Sequence, residues 1–425
     1  MNAHADDLLA AIRDYGLTTQ RSGPRRWQEQ RWLVDEAIRS GGGIEWDQPR
    51  LAYTLGPAKV SEAGREIAFL RSAITKMADF VPAVAARAVA HERQARAADA
   101  DGHGISAGEH WYQAAMLWAL SVWPMWEREN EIRDEIDERK NAAYSAWAAS
   151  ANHRIEAVEI PFGDVSLPAW LHIAPGAREP FPIVLSCGGM DSSRESVISR
   201  VGDELLERGL SVLAFDGPGQ AESASRGIHV TASNWQQAGD AVIDWCRRDP
   251  RIDERRMAMV GKSFGSFWIA QAAAGHGDLV GVVSLFPIFE PGCHTIFECA
   301  SPTFKARHMF MAGLFDDEAA FDALAADYDL RDTAPRLAAP WLVVGGTDDE
   351  LSDSQWIRVM TQRATVPTET LLYAGAKHSL SGAMSPVFGP GWKSAVADWL
   401  ADRFAGRELA TSRKLVMPDG SVRVQ

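Results

Sequence analysis

Ser263 sits in Gly261-Lys262-Ser263-Phe264-Gly265, a G-x-S-x-G arrangement directly behind the apolar run Met257-Ala258-Met259-Val260. A strand running into a helix through such a turn holds a serine hydroxyl clear of the backbone, and the glycines leave room for the bend. A serine hydroxyl is a weak nucleophile until a base takes its proton, and the base needs an acid to orient it. The chain offers both further on, each at the end of an expected strand. Trp341-Leu342-Val343-Val344-Gly345-Gly346-Thr347 runs into Asp348-Asp349-Glu350, and Leu371-Leu372-Tyr373-Ala374-Gly375-Ala376-Lys377 runs into His378. We read Ser263 as nucleophile, His378 as base and Asp349 as acid, the last from its offset after Gly346, with Asp348 as the alternative.

An acyl-transfer intermediate also needs N–H donors already aimed at its oxyanion. Phe264, next after the nucleophile, should supply one, and Gly189 or Met190 in Cys187-Gly188-Gly189-Met190-Asp191 the other. Lys262 could tune the charge beside Ser263 or face solvent, and Phe215-Asp216-Gly217-Pro218-Gly219-Gln220 reads as a rigid structural turn at the pocket floor.

The elements that must position these groups are legible in outline. Residues 1–150 read as helical: Asp6 to Tyr15, Arg25 to Ser40 behind Gly23-Pro24, Ser61 to about Ala98, a helix opened by Ser106-Ala107-Gly108-Glu109 in capping-box form, and Trp126 to Ala149, whose mixed charges suggest an exposed helix. After Asn152 strands and helices alternate, which implies a mostly parallel, doubly wound sheet covered on both faces. A helical insertion spans 287–340 after the sixth strand, and the tail 409–425 carries a hairpin signal at Pro418-Asp419-Gly420.

At 425 residues the chain exceeds one compact core, so we divide it into a helical N-terminal cap (1–150), a catalytic part (151–408) and the tail. The net charge of −14, with no basic block, argues against nucleic acid. Cys187, Cys246, Cys293 and Cys299 have no C-x-x-C spacing, H-E-x-x-H is absent, and no glycine-rich phosphate loop occurs, so neither metal nor cofactor is expected. No signal peptide or membrane span is visible, and a cytoplasmic location is expected. The hairpin and the helical N-terminus are surfaces on which a homodimer could form.

Cys187-Gly188-Gly189-Met190-Asp191-Ser192-Ser193-Arg194-Glu195, Phe215-Asp216-Gly217-Pro218-Gly219-Gln220 and the serine turn together resemble one branch of the α/β-hydrolases. That branch includes 2,6-dihydroxypseudooxynicotine hydrolase and the fungal hydrolases that shorten polyketide pigment precursors. The resemblance spans about Gly102 to Phe404. It implies cofactor-free hydrolysis of a carbon–carbon bond beside a ketone through Ser263, Asp349 and His378, with an ester as the other candidate bond. The family also links an additional glutamate to catalysis, for which Glu290 and Glu298, with His294 between them, lie in the corresponding region. Trp111, Tyr112, Trp118, Trp123 and Trp126 would suit a bulky aromatic or polyketide-like small molecule, although such residues mostly pack helix on helix. An acyltransferase or cyclase using the same nucleophile is the second reading, and a non-catalytic ligand-binding relative the third.

Overall fold

The structure, a computed structural model, describes residues 2–15, 22–56, 60–127, 129–198, 203–380 and 388–425. Among the described residues seven α-helices precede the first strand: α1 (Asn2–Tyr15), α2 (Arg25–Ser40), α3 (Arg50–Leu55), α4 (Val60–Ala73), α5 (Phe80–Ala100), α6 (Gly104–Ser121) and α7 (Glu131–Ala148). Ten strands then follow: β1 (Arg154–Phe162), β2 (Val165–Ile173), β3 (Phe181–Cys187), β4 (Ser211–Phe215), β5 (Ile252–Lys262), β6 (Leu279–Leu285), β7 (Trp341–Gly346), β8 (Thr368–Tyr373), β9 (Ser412–Val416) and β10 (Val422–Val424). Between them lie α8 (Glu204–Glu207), α9 (Ala221–Ser225), α10 (Asn234–Arg248), α11 (Phe264–Ala273), α12 (Pro302–Met311), α13 (Glu318–Ala326), α14 (Gln355–Arg363) and α15 (Trp392–Phe404).

The strands form one sheet in the order β1-β2-β4-β3-β5-β6-β7-β8-β9-β10. Pairing is parallel from β4 to β9 and antiparallel at the two ends. Parallel strands are covered on both faces, so their side chains are apolar throughout, as in Met257–Val260 and Trp341–Val344. One apolar core runs without a break from the N-terminal helices through Trp170, Phe215 and Phe264 on one face, and a second lies beneath α8 and α15 on the other. The register sets Cys187 opposite Gly261 and Lys262 opposite Leu285, so the carboxyl ends of β3, β5 and β6 finish level. The tail hairpin joins the sheet, β9 pairing parallel to β8.

Several local expectations need correction. The segment 61–98 is two helices, because the Asp79 carboxylate accepts from Thr75 N, Thr75 Oγ1 and Lys76 N and ends the first. Ser106 lies inside the first turn of α6, whose N-cap is His103, so the expected capping box does not form. The helix expected over 126–149 starts at Glu131, where the Asn130 side chain accepts from Ile132 N and Arg133 N. Nor is that helix an exposed one, since Arg133, Asp137, Lys140, Tyr144 and Trp147 are all buried.

The burial of charge on α7 has a reason in the sheet. Lys140 Nζ lies 3.2 Å from Asp137 and 3.6 Å from Glu195, and Arg194 pairs with Glu195 at 3.0 Å and with Glu222 at 2.7 Å. Trp170 Nε1 donates to Glu195 Oε1 at 2.9 Å, and Arg194 N donates to Asp216 Oδ1 at 2.8 Å. Removing one member of such a buried network strands its partners' charge, which typically costs about 3–5 kcal/mol. The network fastens α7 to the loops that follow β3 and β4.

Candidate active site

The turn after β5 forces Ser263 to φ 56° and ψ −125°, a backbone conformation that non-glycine residues seldom adopt. Gly261 and Gly265 make it possible. A Cβ on Gly261 would stand 2.0 Å from the Gly265 carbonyl oxygen, and one on Gly265 would stand 2.4 Å from that of Gly188. Ser263 N donates to Leu285 O at 2.7 Å, which ties the strained residue to the end of β6.

His378 Nδ1 is 2.9 Å from Asp349 Oδ2 and 3.1 Å from Oδ1, and its Nε2 is 2.9 Å from Ser263 Oγ. With Nδ1–H donating to the carboxylate, Nε2 is left to accept from the serine hydroxyl. The side chains of His378 and Asp349 are both buried. Asp349 Oδ1 also accepts from Leu351 N at 2.9 Å, which orients the carboxylate. Asp348 instead accepts from Thr347 Oγ1 at 2.9 Å and takes no part in this chain. Glu350 holds the histidine segment by accepting from His378 N at 2.9 Å, while its other oxygen accepts from Gln48 Nε2 at 2.7 Å.

Gly188 and Gly189 bring the loop after β3 against the serine. A Cβ on Gly189 would stand 2.8 Å from Ser263 Cβ. Phe264 occupies the first position of α11, where no carbonyl of the helix can accept its N–H. Its ring is wedged against His308 at 4.4 Å between centroids and stacked on Phe297 at 5.8 Å. Arg307 Nε donates to Met190 O at 3.2 Å from the far side of the loop.

The cleft over Ser263 is lined by Gln48, Tyr53, Gly189, Met190, Lys262 and His378, among others, and its free space is about 30 Å³. Tyr53 and Lys262 also line an adjoining cavity of about 290 Å³, while Phe304 and Leu351 separate the cleft from an open groove of about 790 Å³. Lys262 Nζ lies over the Tyr53 ring at 4.5 Å. Burial, reinforced by Lys393, lowers Lys262 to about 8. Burial pushes Tyr53 well above the usual phenol range, and nearby Asp191 adds to it, so the group stays a hydroxyl donor.

Of the other predicted residues, Glu298 is exposed and pairs with Lys305 at 2.6 Å, His294 is exposed, and Glu290 accepts from Thr295 N at 2.8 Å. None of the three lines the cleft; Ile296 does.

Four further contributors carried little sequence signal. Gln48 and Tyr53 reach the cleft from α3 and the residues before it, a six-residue helix too short to show a periodicity. Arg50 of the same helix donates through Nε to Asp191 Oδ2 at 2.9 Å and pairs with Asp47 at 2.5 Å, its guanidinium 4.1 Å from the Trp123 ring centroid. Gln220, read as part of a structural turn, donates Nε2 to the carbonyls of Gly188 at 2.7 Å and Gly189 at 3.2 Å. The triplet Asp348-Asp349-Glu350 did announce Glu350 as an acid, though its backbone role follows only from the fold.

Among the described residues no helix is long and apolar enough to cross a membrane. The chain is 25% identical over 327 residues to a 2,6-dihydropseudooxynicotine hydrolase of Paenarthrobacter nicotinovorans, a match covering 76% of this chain and 84% of that one. It is 31% identical over 180 residues to the hydrolase ORFZ of Pyricularia oryzae, covering 40% of this chain and 42% of the relative. The crystal structure of the 2,6-dihydroxy-pseudo-oxynicotine hydrolase superposes with a TM-score of 0.71 at 21% identity, over 86% of this chain and 98% of that one, and so shares the fold. Residues 77–319, more than half of the chain, match the family described as esterase FrsA-like. The protein is a hydrolase of the α/β-hydrolase type, and it belongs to the FrsA-like esterase family.

Proposed function

We propose that the protein is a cofactor-independent serine hydrolase that cleaves a bond beside a carbonyl, carbon–carbon next to a ketone or the acyl–oxygen bond of an ester, in a bulky aromatic or polyketide-like small molecule. The observation that carries this reading is the unbroken run of hydrogen bonds Ser263–His378–Asp349, 2.9 Å at each link, at the floor of a covered cleft. In this reading Ser263 Oγ attacks the carbonyl while His378 takes its proton. The N–H groups of Phe264 and of Gly189 or Met190 hold the oxyanion. His378 then returns the proton to the departing carbon or oxygen, and water releases the acyl group by the reverse sequence.

Helices α1 to α7, continuous in their packing with the sheet, act as the cap, and α3 with the residues before it lends Tyr53 and Gln48 to the cleft. Space of about 30 Å³ over the serine admits little more than a water molecule, so the arms of a large substrate would occupy the adjoining cavity and groove. Exclusion of water by the helical cap would favour transfer to another acceptor, the second reading. Incubation with p-nitrophenyl esters and with an aryl 1,3-diketone, with and without a competing alcohol, separates these outcomes by product analysis. Free acid from the diketone, lost in Ser263→Ala, supports carbon–carbon hydrolysis. Acid from esters alone restricts the enzyme to ester cleavage, and an alkyl ester as main product selects transfer.

A further inference from the structure

The cavity of about 290 Å³ beside the nucleophile is walled by Val260, Leu285, Trp392 and Val396, and two lysines, Lys262 and Lys393, reach its lining. Asp203 and Glu204 line it too, but both are committed. Asp203 accepts from Leu205 N and Leu206 N at the start of α8, and Glu204 pairs with Arg208 at 2.7 Å and accepts from Ser394 Oγ at 2.9 Å. Asp191, the acid whose charge acts on Lys262, is held by Arg50. Among the described residues neither lysine lies in an ion pair; Lys262 Nζ rests over the Tyr53 ring and Lys393 Nζ lies 5.7 Å from the Trp392 ring centroid. A half-buried ammonium with aromatic contact and no counter-ion is a receptor for an anion, and the apolar walls suit a hydrocarbon chain behind that anion.

We propose that this cavity receives a carboxylate-bearing arm of the substrate, with the Lys262 ammonium as its counter-ion. The proposal rests on Ser263 being the nucleophile, because Lys262 is the residue before it and lines both the cleft and the cavity. Ser192, common to both linings, offers a hydroxyl to the same anion.

The test compares kcat/KM within two ester pairs, on wild type, Lys262→Met and Lys262→Arg. Mono-p-nitrophenyl glutarate against p-nitrophenyl valerate carries the charge on the acyl arm, and 4-carboxyphenyl butyrate against phenyl butyrate carries it on the leaving arm. The ratio within a pair cancels any general loss from disturbing the serine turn. The expected result is that wild type favours the carboxylate in at least one pair by about tenfold to a hundredfold, the range for one charged hydrogen bond. Lys262→Met loses that preference and Lys262→Arg retains it. Ratios near one in wild type, or a preference that survives Lys262→Met, overturn the proposal. Calorimetric binding of glutarate to Ser263→Ala and to Ser263→Ala with Lys262→Met reads the cavity without turnover. Binding abolished by the methionine supports the site, and absent or unaltered binding counts against it. A wild type that hydrolyses neither these esters nor the aryl 1,3-diketone, with glutarate binding intact, contradicts the nucleophile and leaves the anion site standing.

Discussion

Gln220 donates its side-chain amide to the Gly188 carbonyl at 2.7 Å, and so fixes the loop that touches Ser263 to the turn after β4. Gln220 is fully buried, and its Oε1 accepts from Gly217 N at 3.0 Å. Gln220→Leu leaves two buried carbonyls and one N–H without this partner, at about 1–3 kcal/mol each if no water replaces it. Because the loop carries Gly189 and Met190, we expect kcat on a p-nitrophenyl ester to fall about tenfold to a hundredfold with KM little changed, the pattern of a lost transition-state interaction. A rise in KM at constant kcat would assign the loop to substrate binding.

The two candidate acids are separable by one pair of substitutions. Asp349→Asn swaps the carboxylate bonded to His378 Nδ1 for an amide and upsets the tautomer, so kcat should drop by about 10⁴. Asp348→Asn alters only a contact with the Thr347 hydroxyl and should keep kcat within about threefold, as exposed substitutions usually do. Equal losses would contradict the assignment.

Lys140 tests how the helices are fastened to the sheet. Lys140→Met removes the cation from among Asp137, Glu195 and Glu222, and urea unfolding should register a loss of about 3–5 kcal/mol. A loss below about 1 kcal/mol would mean that Arg194 alone balances these acids.

Charge on α7 also marks the limit of what the sequence discloses. The alternating acids and bases of 131–148 have the look of a solvated face, since the partners that bury them, Glu195 and Glu222, come from segments far along the chain. The same holds for Gln48 and Tyr53, which reach the cleft only because α3 packs there. Local signals reach further. The apolar run from Trp341 closed by Gly345-Gly346 marks β7, Gly23-Pro24 marks the start of α2 at Arg25, and the order Ser263, Asp349, His378 follows from strand ends. The sheet pairing that levels β3, β5 and β6, and so sets Gly189 against Ser263, is non-local and has no mark in any single segment.

Acid should weaken the protein through His308. Burial, helped by Arg307, pushes this imidazole down to about 3, and Nε2 lies 2.9 Å from Tyr328 Oη behind Phe264. An unfolded histidine titrates near 6.5, so between 6.5 and 3 the unfolded chain binds the extra proton and stability falls as pH falls. From this group alone the loss is about 2 kcal/mol between pH 6.5 and 5. Asp216, raised by burial and by the charge of Glu195, works in the opposite sense, so the readout is a difference between proteins. The drop in unfolding free energy from pH 6.5 to 5 should be about 2 kcal/mol smaller in His308→Gln than in wild type. Equal drops would show that His308 is protonated in the folded state.

If Ser263 carries the reaction, blocking its hydroxyl must stop turnover. Intact-protein mass spectrometry after treatment with a fluorophosphonate, followed by peptide mapping and an ester assay on the same sample, tests it most directly. One adduct per chain is expected, located on Ser263, with hydrolysis lost in step with labelling, and neither adduct nor turnover in Ser263→Ala. Turnover that survives full labelling, or persists in Ser263→Ala, would contradict it.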